Sequence, residues 1–128
     1  SLGVPQDLTL VQNYSSDTVG EAYFVKEMHI SPRNFFDNLV VTRRFHTSWA
    51  MAIYEKILGS KFSTDFEPVE TEKDNDPDTL AAEKESMDRF LKRSEGIDLG
   101  DSRKIEEMLY RTYGTYNDIP EDQRLRFY

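Results

Sequence analysis

The stretch PRNFFDNLVVTRRFHTSWAMAIYEKIL, residues 32–58, decides the fold that the sequence predicts. Ser31 before it is a good helix N-cap, and proline suits the first helical position because it has no N–H to leave unpaired there. Gly59 supplies a stop at the other end. At about 100° per residue, most of the apolar side chains in between fall on one broad face. We therefore predict one long amphipathic helix over 32–58 at the centre of the fold.

Three polar side chains, Arg43, His46 and Thr47, interrupt the apolar face of this helix near its middle. A buried guanidinium without a partner is costly, so Arg43 needs an acid, other acceptors or water. One interpretation is a polar pocket in which Arg43 binds a carboxylate or phosphate and His46 titrates or donates. The other is structural, with a kink or an acid of the same chain satisfying Arg43. An acid from residues 65–78 would make the feature a latch, and one from another chain would make it an interface.

The other helices that the sequence predicts are shorter. Thr18 and Glu21 have the spacing of a capping box, which favours a helix over 18–30, although apolar residues also alternate there as they do in a strand. Later helices are predicted over residues 78–95, over 102–113 and from about residue 119 onward.

Two segments are expected to lack regular structure. Residues 1–17 are predicted to form an irregular N-terminal arm. Residues 60–78 contain seven acids and two prolines, and we expect a long acidic loop there. A loop of this length is uncommon inside a compact domain unless it is mobile or functional. Docking to a basic partner is the functional alternative for this loop.

Composition limits the classes of function. With 38% hydrophobic and 31% charged residues among 128, the chain resembles a soluble globular domain. Its net charge of -8 falls entirely in residues 62–128, which argues against an extended nucleic-acid surface and against adsorption to anionic membranes. The chain has no cysteine, which excludes disulfides and leans toward a cytoplasmic location. No apolar run approaches the roughly 20 residues that span a bilayer.

No cofactor, metal or catalytic motif is expected. The two histidines, His29 and His46, lack the spacing of a metal-binding pair. Asp74, Asp76 and Asp78 match ligand positions of a calcium-binding loop, but Thr79 occupies the position where that loop needs glycine. Motifs typical of nucleotide binding or of serine or cysteine nucleophiles are absent as well.

A partner-binding surface is the remaining candidate site. Aromatic and arginine side chains are enriched at interface hot spots, and several lie near the end of the chain. The alternative is that they pack as an ordinary edge of the core. The candidate residues are Tyr113, Tyr116, Arg124, Arg126 and Tyr128, together with Asp74, Asp76 and Asp78 of the acidic loop.

The sequence therefore predicts a mainly α-helical single domain, a bundle of four to five helices around the long central helix. We expect a non-enzymatic protein–protein interaction or assembly module, because the central helix carries more apolar surface than its short neighbours can cover. The expected partner is another protein chain, a homodimer being the simplest case. The alternatives are a ligand-binding or hydrolytic domain that uses the Arg43 and His46 pocket, and an acidic accessory protein in a nucleic-acid process.

Overall fold

A computed structural model of the chain describes residues 3–128, and in it residues 32–58 are not one helix. A short helix α2 (Ser31–Arg33) ends at Asn34, strand β1 (Asp37–Arg43) follows, and helix α3 (Arg44–Leu58) comes directly after the strand. The prediction of a bundle of helices around a long central helix is therefore wrong. What replaces it is a helix-rich structure that contains a small parallel sheet.

Local chemistry explains why the predicted helix is divided. Asn34 has a φ of 54°, a left-handed conformation that ends a helix and that asparagine tolerates better than most residues. Val40, Val41 and Thr42 are β-branched, and such side chains suit a strand better than a helix. The helical periodicity extended across 32–58, but a second strand elsewhere in the chain supplies pairing that a helix over these residues cannot use.

That second strand, β2 (Ser63–Val69), lies in the segment that the sequence predicted as an acidic loop. It pairs with β1 in parallel, with Asp37 opposite Ser63 and Arg43 opposite Val69. The prediction of a structureless loop over 60–78 is therefore wrong for its first half. The error arose because the acids of β2 occupy only the exposed positions of a strand whose other residues are half-buried.

Helix α3 connects the two strands as a crossover. Parallel strands need such a connection, usually a helix, because a tight turn cannot bring them into the same direction. The inner face of the sheet contacts α3, and α3 buries Ala50, Ile53, Tyr54, Ile57 and Leu58. The unit β1–α3–β2 thus forms one side of the molecule.

The other side consists of helices that the sequence largely anticipated. The segment 18–30 is helical, as α1 (Thr18–Val25) followed by a π-helical segment (Lys26–Ile30). Helices α4 (Pro77–Arg93) and α5 (Ser102–Arg111) occupy the ranges expected near 78–95 and 102–113. Single 3-10 turns lie at Gln6–Leu8 and Glu121–Gln123, so the helix expected from residue 119 is only one turn long.

Asp17 connects the start of α1 to the C-terminal part of the chain through hydrogen bonds. Its carboxylate accepts the backbone N–H of Gly20 at 2.9 Å, which caps α1. The same carboxylate accepts the hydroxyls of Tyr113 at 2.5 Å and Tyr116 at 2.8 Å. Gly20 lies against the ring of Tyr116, so close that any side chain at position 20 would overlap it. Tyr113 and Tyr116 are therefore buried in the core rather than exposed at a helix end.

Lys26 makes a second polar anchor inside the molecule. Its buried ammonium donates to the carbonyl of Ile57 at 2.8 Å, to that of Gly100 at 3.1 Å and to the hydroxyl of Ser102 at 2.7 Å. These bonds satisfy a carbonyl in the last turn of α3 and connect α3 to the beginning of α5. Burial lowers the pKa of Lys26 from its ordinary value.

Buried tyrosines make stability depend on pH in the alkaline range. Burial is the largest cause that raises the pKa of five of them. They are Tyr23, Tyr54, Tyr110, Tyr113 and Tyr116. Above pH 10 or so the unfolded phenols release protons that the folded ones retain, so the folded state binds more protons and its stability falls as pH rises. The lowered pKa of Lys26 instead makes stability rise with pH, but it concerns one group against five tyrosines.

We therefore expect these five tyrosines to ionise together with unfolding when the protein is titrated with base. The measurement is phenolate absorbance recorded in parallel with circular dichroism, and the two transitions should coincide above pH 10 or so. The same titration in denaturant gives the unfolded reference. Independent ionisation of all the tyrosines near their ordinary pKa, with the helical signal intact, would contradict this arrangement.

Candidate functional site

A cavity of about 560 Å³ opens beside β1, between the beginning of α1 and α3. Its wall includes Val40 and Arg43 of the strand, His46 and Trp49 of α3, and Glu83 of α4. Two of the three residues that the sequence marked as a polar pocket, Arg43 and His46, thus line the same cavity.

His46 lies in a chain of three hydrogen-bonding side chains. Its Nδ1 is 2.8 Å from a carboxylate oxygen of Glu83, and its Nε2 is 3.1 Å from the hydroxyl of Thr18. The imidazole also meets the ring of Trp49 edge-on, with the ring centres 5.0 Å apart. The three groups belong to α1, α3 and α4, so the imidazole joins three helices. No sequence signal indicated Thr18 or Glu83 as its partners, because they lie 28 and 37 residues away.

Arg43 does not point into an apolar core. It is the last residue of β1 and is exposed, and its guanidinium lies over the ring of Phe45 at 5.9 Å. Thr47 donates its hydroxyl to the Arg43 carbonyl at 3.0 Å, as a residue in the first turn of α3. Among residues 3–128, no carboxylate lies within ion-pair distance of Arg43. The acid that was expected to satisfy it is therefore not found in this part of the chain.

Among residues 3–128, the ion pair with the acidic segment 65–78 is made by the neighbouring arginine rather than by Arg43. Arg44 lies 3.3 Å from a carboxylate oxygen of Glu70, just after β2. Both side chains are largely exposed, and exposed pairs contribute on the order of 0.2–1 kcal/mol. This contact does not fix the position of the acidic segment.

The acids of the expected docking loop are used within the chain. Asp74 accepts the N–H of Thr71 at 2.9 Å and so closes a turn. Asp76 caps α4 by accepting the N–H of Thr79 at 2.9 Å, and Asp78 lies in the first turn, where a negative charge favours a helix. The hydrogen bonds from Thr79 lower the pKa of Asp76. In the part of the chain that the structure describes, no group of three or more His, Asp or Glu side chains could hold a metal ion.

The C-terminal arginines and tyrosine bind back onto the molecule. Arg124 donates to the carbonyl of Ile119 at 2.8 Å, and its guanidinium lies over the Tyr110 ring. Arg126 pairs with Glu121 at 3.1 Å, and the Tyr128 hydroxyl donates to Glu27 at 3.0 Å. These contacts hold the C-terminal segment in place.

A second feature was missed from the sequence altogether. The outer face of the β1–β2 sheet exposes Leu39 by 64%, Val41 by 62% and Val69 by 47%. In a helix over 32–58, Leu39 and Val41 would lie on opposite sides, whereas in a strand they share one face. The available signals were the β-branched run Val40-Val41-Thr42 and the placement of Phe66 between two acids, and the longer helical periodicity obscured them.

The two features differ in the chemistry that they allow. A hydroxyl, an imidazole and a carboxylate in a row resemble the nucleophile, base and orienting acid of acyl-transfer sites. The open strand edges and apolar face instead suit the addition of another chain.

No protein-family model matches the chain, and no curated protein or solved structure shows significant similarity to it. None of the helices in residues 3–128 is long and apolar enough to cross a membrane.

The contacts of His46 predict a measurable coupling. His46 and Glu83 side chains are only 17% and 21% exposed, so we expect replacement of either with alanine to lower the free energy of unfolding by about 1–3 kcal/mol. In a double-mutant cycle measured by denaturant unfolding, the two changes should couple by about 0.5–3 kcal/mol. Glu85→Ala is the control, because the exposed Glu85–Arg89 pair should change stability by no more than about 0.5 kcal/mol. Additive effects of the His46 and Glu83 changes would contradict the bond.

Proposed function

We propose that this protein is a non-enzymatic assembly module whose β1–β2 sheet joins a second protein chain. The observation that carries the proposal is the exposure of a two-stranded parallel sheet on its outer face. Parallel sheets are usually covered on both faces, and a two-stranded sheet alone is marginal in water. A partner chain that adds a strand to the sheet, or packs on its outer face, would supply the missing strand pairing or the missing cover.

The apolar outer face supports this proposal. Leu39 and Val41 lie on the outer face of β1, and Val69 lies opposite Arg43 on β2. Leu39 and Val41 are neighbours on this face, opposite Asp65 and Glu67 of β2, on a molecule that carries a net charge of -8. Contiguous apolar surface bordered by charge is typical of interaction sites, whereas isolated exposed apolar residues are not.

The strand edges support it as well. In residues 3–128 the sheet has the two strands β1 and β2 only, so each strand pairs along one edge. The backbone N–H and C=O groups of the other edges are available for pairing with a further strand. Addition of a strand to such an edge is a common mode of protein recognition.

The proposal predicts self-association that depends on the outer face. Sedimentation velocity over a range of concentrations should show the wild-type chain passing from monomer to dimer. We expect the double variant Leu39→Thr, Val41→Thr to dimerise about tenfold more weakly or worse, because threonine keeps the β-propensity while it removes apolar contact.

Val11→Thr is the matched control for this experiment, since Val11 is equally exposed but lies outside the sheet. Its dissociation constant should equal that of the wild type. A wild-type chain that remains monomeric at all concentrations, or a double variant with unchanged dimerisation, would contradict the proposed function.

A second function is favoured by one observation, the row of Thr18, His46 and Glu83 beside the cavity. In this alternative, the Thr18 hydroxyl attacks an acyl carbon and its proton passes to Nε2 of His46, while Nδ1–H donates to Glu83. The leaving group then departs with the proton from His46, and water hydrolyses the acyl-threonine. Arg43 at the rim of the cavity provides a cation for an anionic substrate.

The test of this alternative is acetylation by a small activated ester, followed by mass spectrometry. Wild-type protein and Thr18→Ser should carry the acetyl group at residue 18, and Thr18→Val should not. Thr47→Val, a change outside the row, should behave like the wild type. A wild-type chain that neither carries the acetyl group nor hydrolyses the ester faster than Thr18→Val would exclude the hydrolytic function without affecting the assembly proposal.

A further inference from the structure

We infer that the second chain is another copy of this protein, and that the two β1 strands pair antiparallel about a two-fold axis at Val40. The inference rests on the proposed assembly function and specifies its partner, edge and register. The joined sheet would have the order β2–β1–β1–β2.

The sequence of β1 is complementary to itself in this arrangement. Its residues DNLVVTR alternate in exposure, with Asp37, Leu39, Val41 and Arg43 on the outer face. A two-fold axis at Val40 places Asp37 of one copy opposite Arg43 of the other, and Leu39 opposite Val41. Each copy contributes the same patch, as a two-fold interface requires.

The charged residues at the two ends of β1 have no ion-pair partner in the described chain, where the Arg43 guanidinium lies over the ring of Phe45. Among residues 3–128, neither Asp37 nor Arg43 makes an ion pair, and both are exposed. Directly opposite residues on antiparallel strands have Cβ atoms about 4.5–5.5 Å apart, close enough for opposite charges to stabilise the pair. Asp37 of a second copy is therefore the acid that pairs with Arg43, which has no ion-pair partner among residues 3–128.

The direction of the backbone groups agrees with this register. Ser63 N–H donates to the Phe36 carbonyl at 2.7 Å, so Phe36 directs its backbone toward β2. Successive residues of a strand direct their backbone groups to opposite edges, which turns those of Leu39 and Val41 toward the free edge. Leu39 and Val41 of two copies would then exchange both N–H···O bonds, as a hydrogen-bonded antiparallel pair does.

The free edge of β1 is also more suitable than the free edge of β2 for pairing with a second copy. The edge of β2 carries Pro68, which has no N–H to donate, and its outer face carries Asp65 and Glu67. Two copies of β2 would bring these acids together, and like charges opposite one another are destabilising. The cavity of about 560 Å³ lies along this edge and is lined by Val40 and Val41 together with Thr18 and Glu21 of α1, and by no residue of β2.

Charge reversal tests the register directly. Asp37→Arg alone and Arg43→Asp alone each place like charges opposite one another twice in a dimer. We expect each single variant to dimerise about tenfold more weakly than the wild type or worse. An equimolar mixture of the two should form a heterodimer with near wild-type affinity, because both cross-strand pairs are then of opposite charge. Native mass spectrometry separates the three species by mass.

Two controls make the result specific. Asp7→Arg changes the net charge as Asp37→Arg does, at an exposed site outside the sheet, and should dimerise like the wild type. Asp37→Arg combined with Arg43→Asp in one chain restores both pairs and should dimerise with itself. Circular dichroism of each single variant distinguishes a folded monomer from an unfolded chain, and Asp37→Asn and Arg43→Gln replace any reversal that unfolds.

The possible outcomes separate this inference from the proposed function. A wild-type monomer overturns both. A wild-type dimer whose affinity the single reversals leave unchanged keeps the assembly function and overturns the β1 pairing, as does a mixture that fails to form the heterodimer. Loss in each single variant together with recovery in the mixture supports the antiparallel register at Val40.

Discussion

Parallel pairing of β1 with β2 is the constraint on which the rest of this structure depends. Two parallel strands cannot be joined by a turn, so the chain between them must cross over, and α3 is that crossover. The pairing therefore divides residues 32–58 into strand and helix. It also leaves an outer face and two edges that no element of residues 3–128 pairs with. The proposed function follows from this incomplete sheet.

Opposite the sheet, buried polar side chains hold the helices together. Asp17 caps α1 and accepts two tyrosine hydroxyls, and Lys26 connects the end of α3 to the start of α5. Glu106 accepts the Tyr23 hydroxyl and the Phe127 N–H in the same way. A buried charge is stable only when it is hydrogen-bonded, so each of these groups fixes the position of its partners. These hydrogen bonds fix the helical side, where Glu27 Oε1 is a buried oxygen without a hydrogen-bond partner among residues 3–128. The apolar residues exposed on the sheet are the surface that the proposed function uses.

Arg43 takes part in both candidate functions. It is the last residue of the pairing strand and also part of the cavity wall beside His46. A second β1 strand would therefore lie next to the row of Thr18, His46 and Glu83, so association and access to the cavity would compete at this edge. His46 itself has its two ring nitrogens engaged by Thr18 and Glu83, which accounts for its position without a ligand.

The helices at 18–30, 78–95 and 102–113 could be predicted from the sequence, because capping residues, glycine stops and apolar spacing act over a few neighbouring residues. The excess of negative charge follows from composition alone. The sequence also singled out Arg43 and His46, which line the same cavity. Three features became evident only in the folded chain: 37–43 is a strand, Tyr113 and Tyr116 are buried against Asp17, and His46 contacts Thr18 and Glu83. These outcomes depend on pairing between residues far apart in the chain. For β1, the long-range pairing with β2 outweighed a helical periodicity that the local sequence also satisfied.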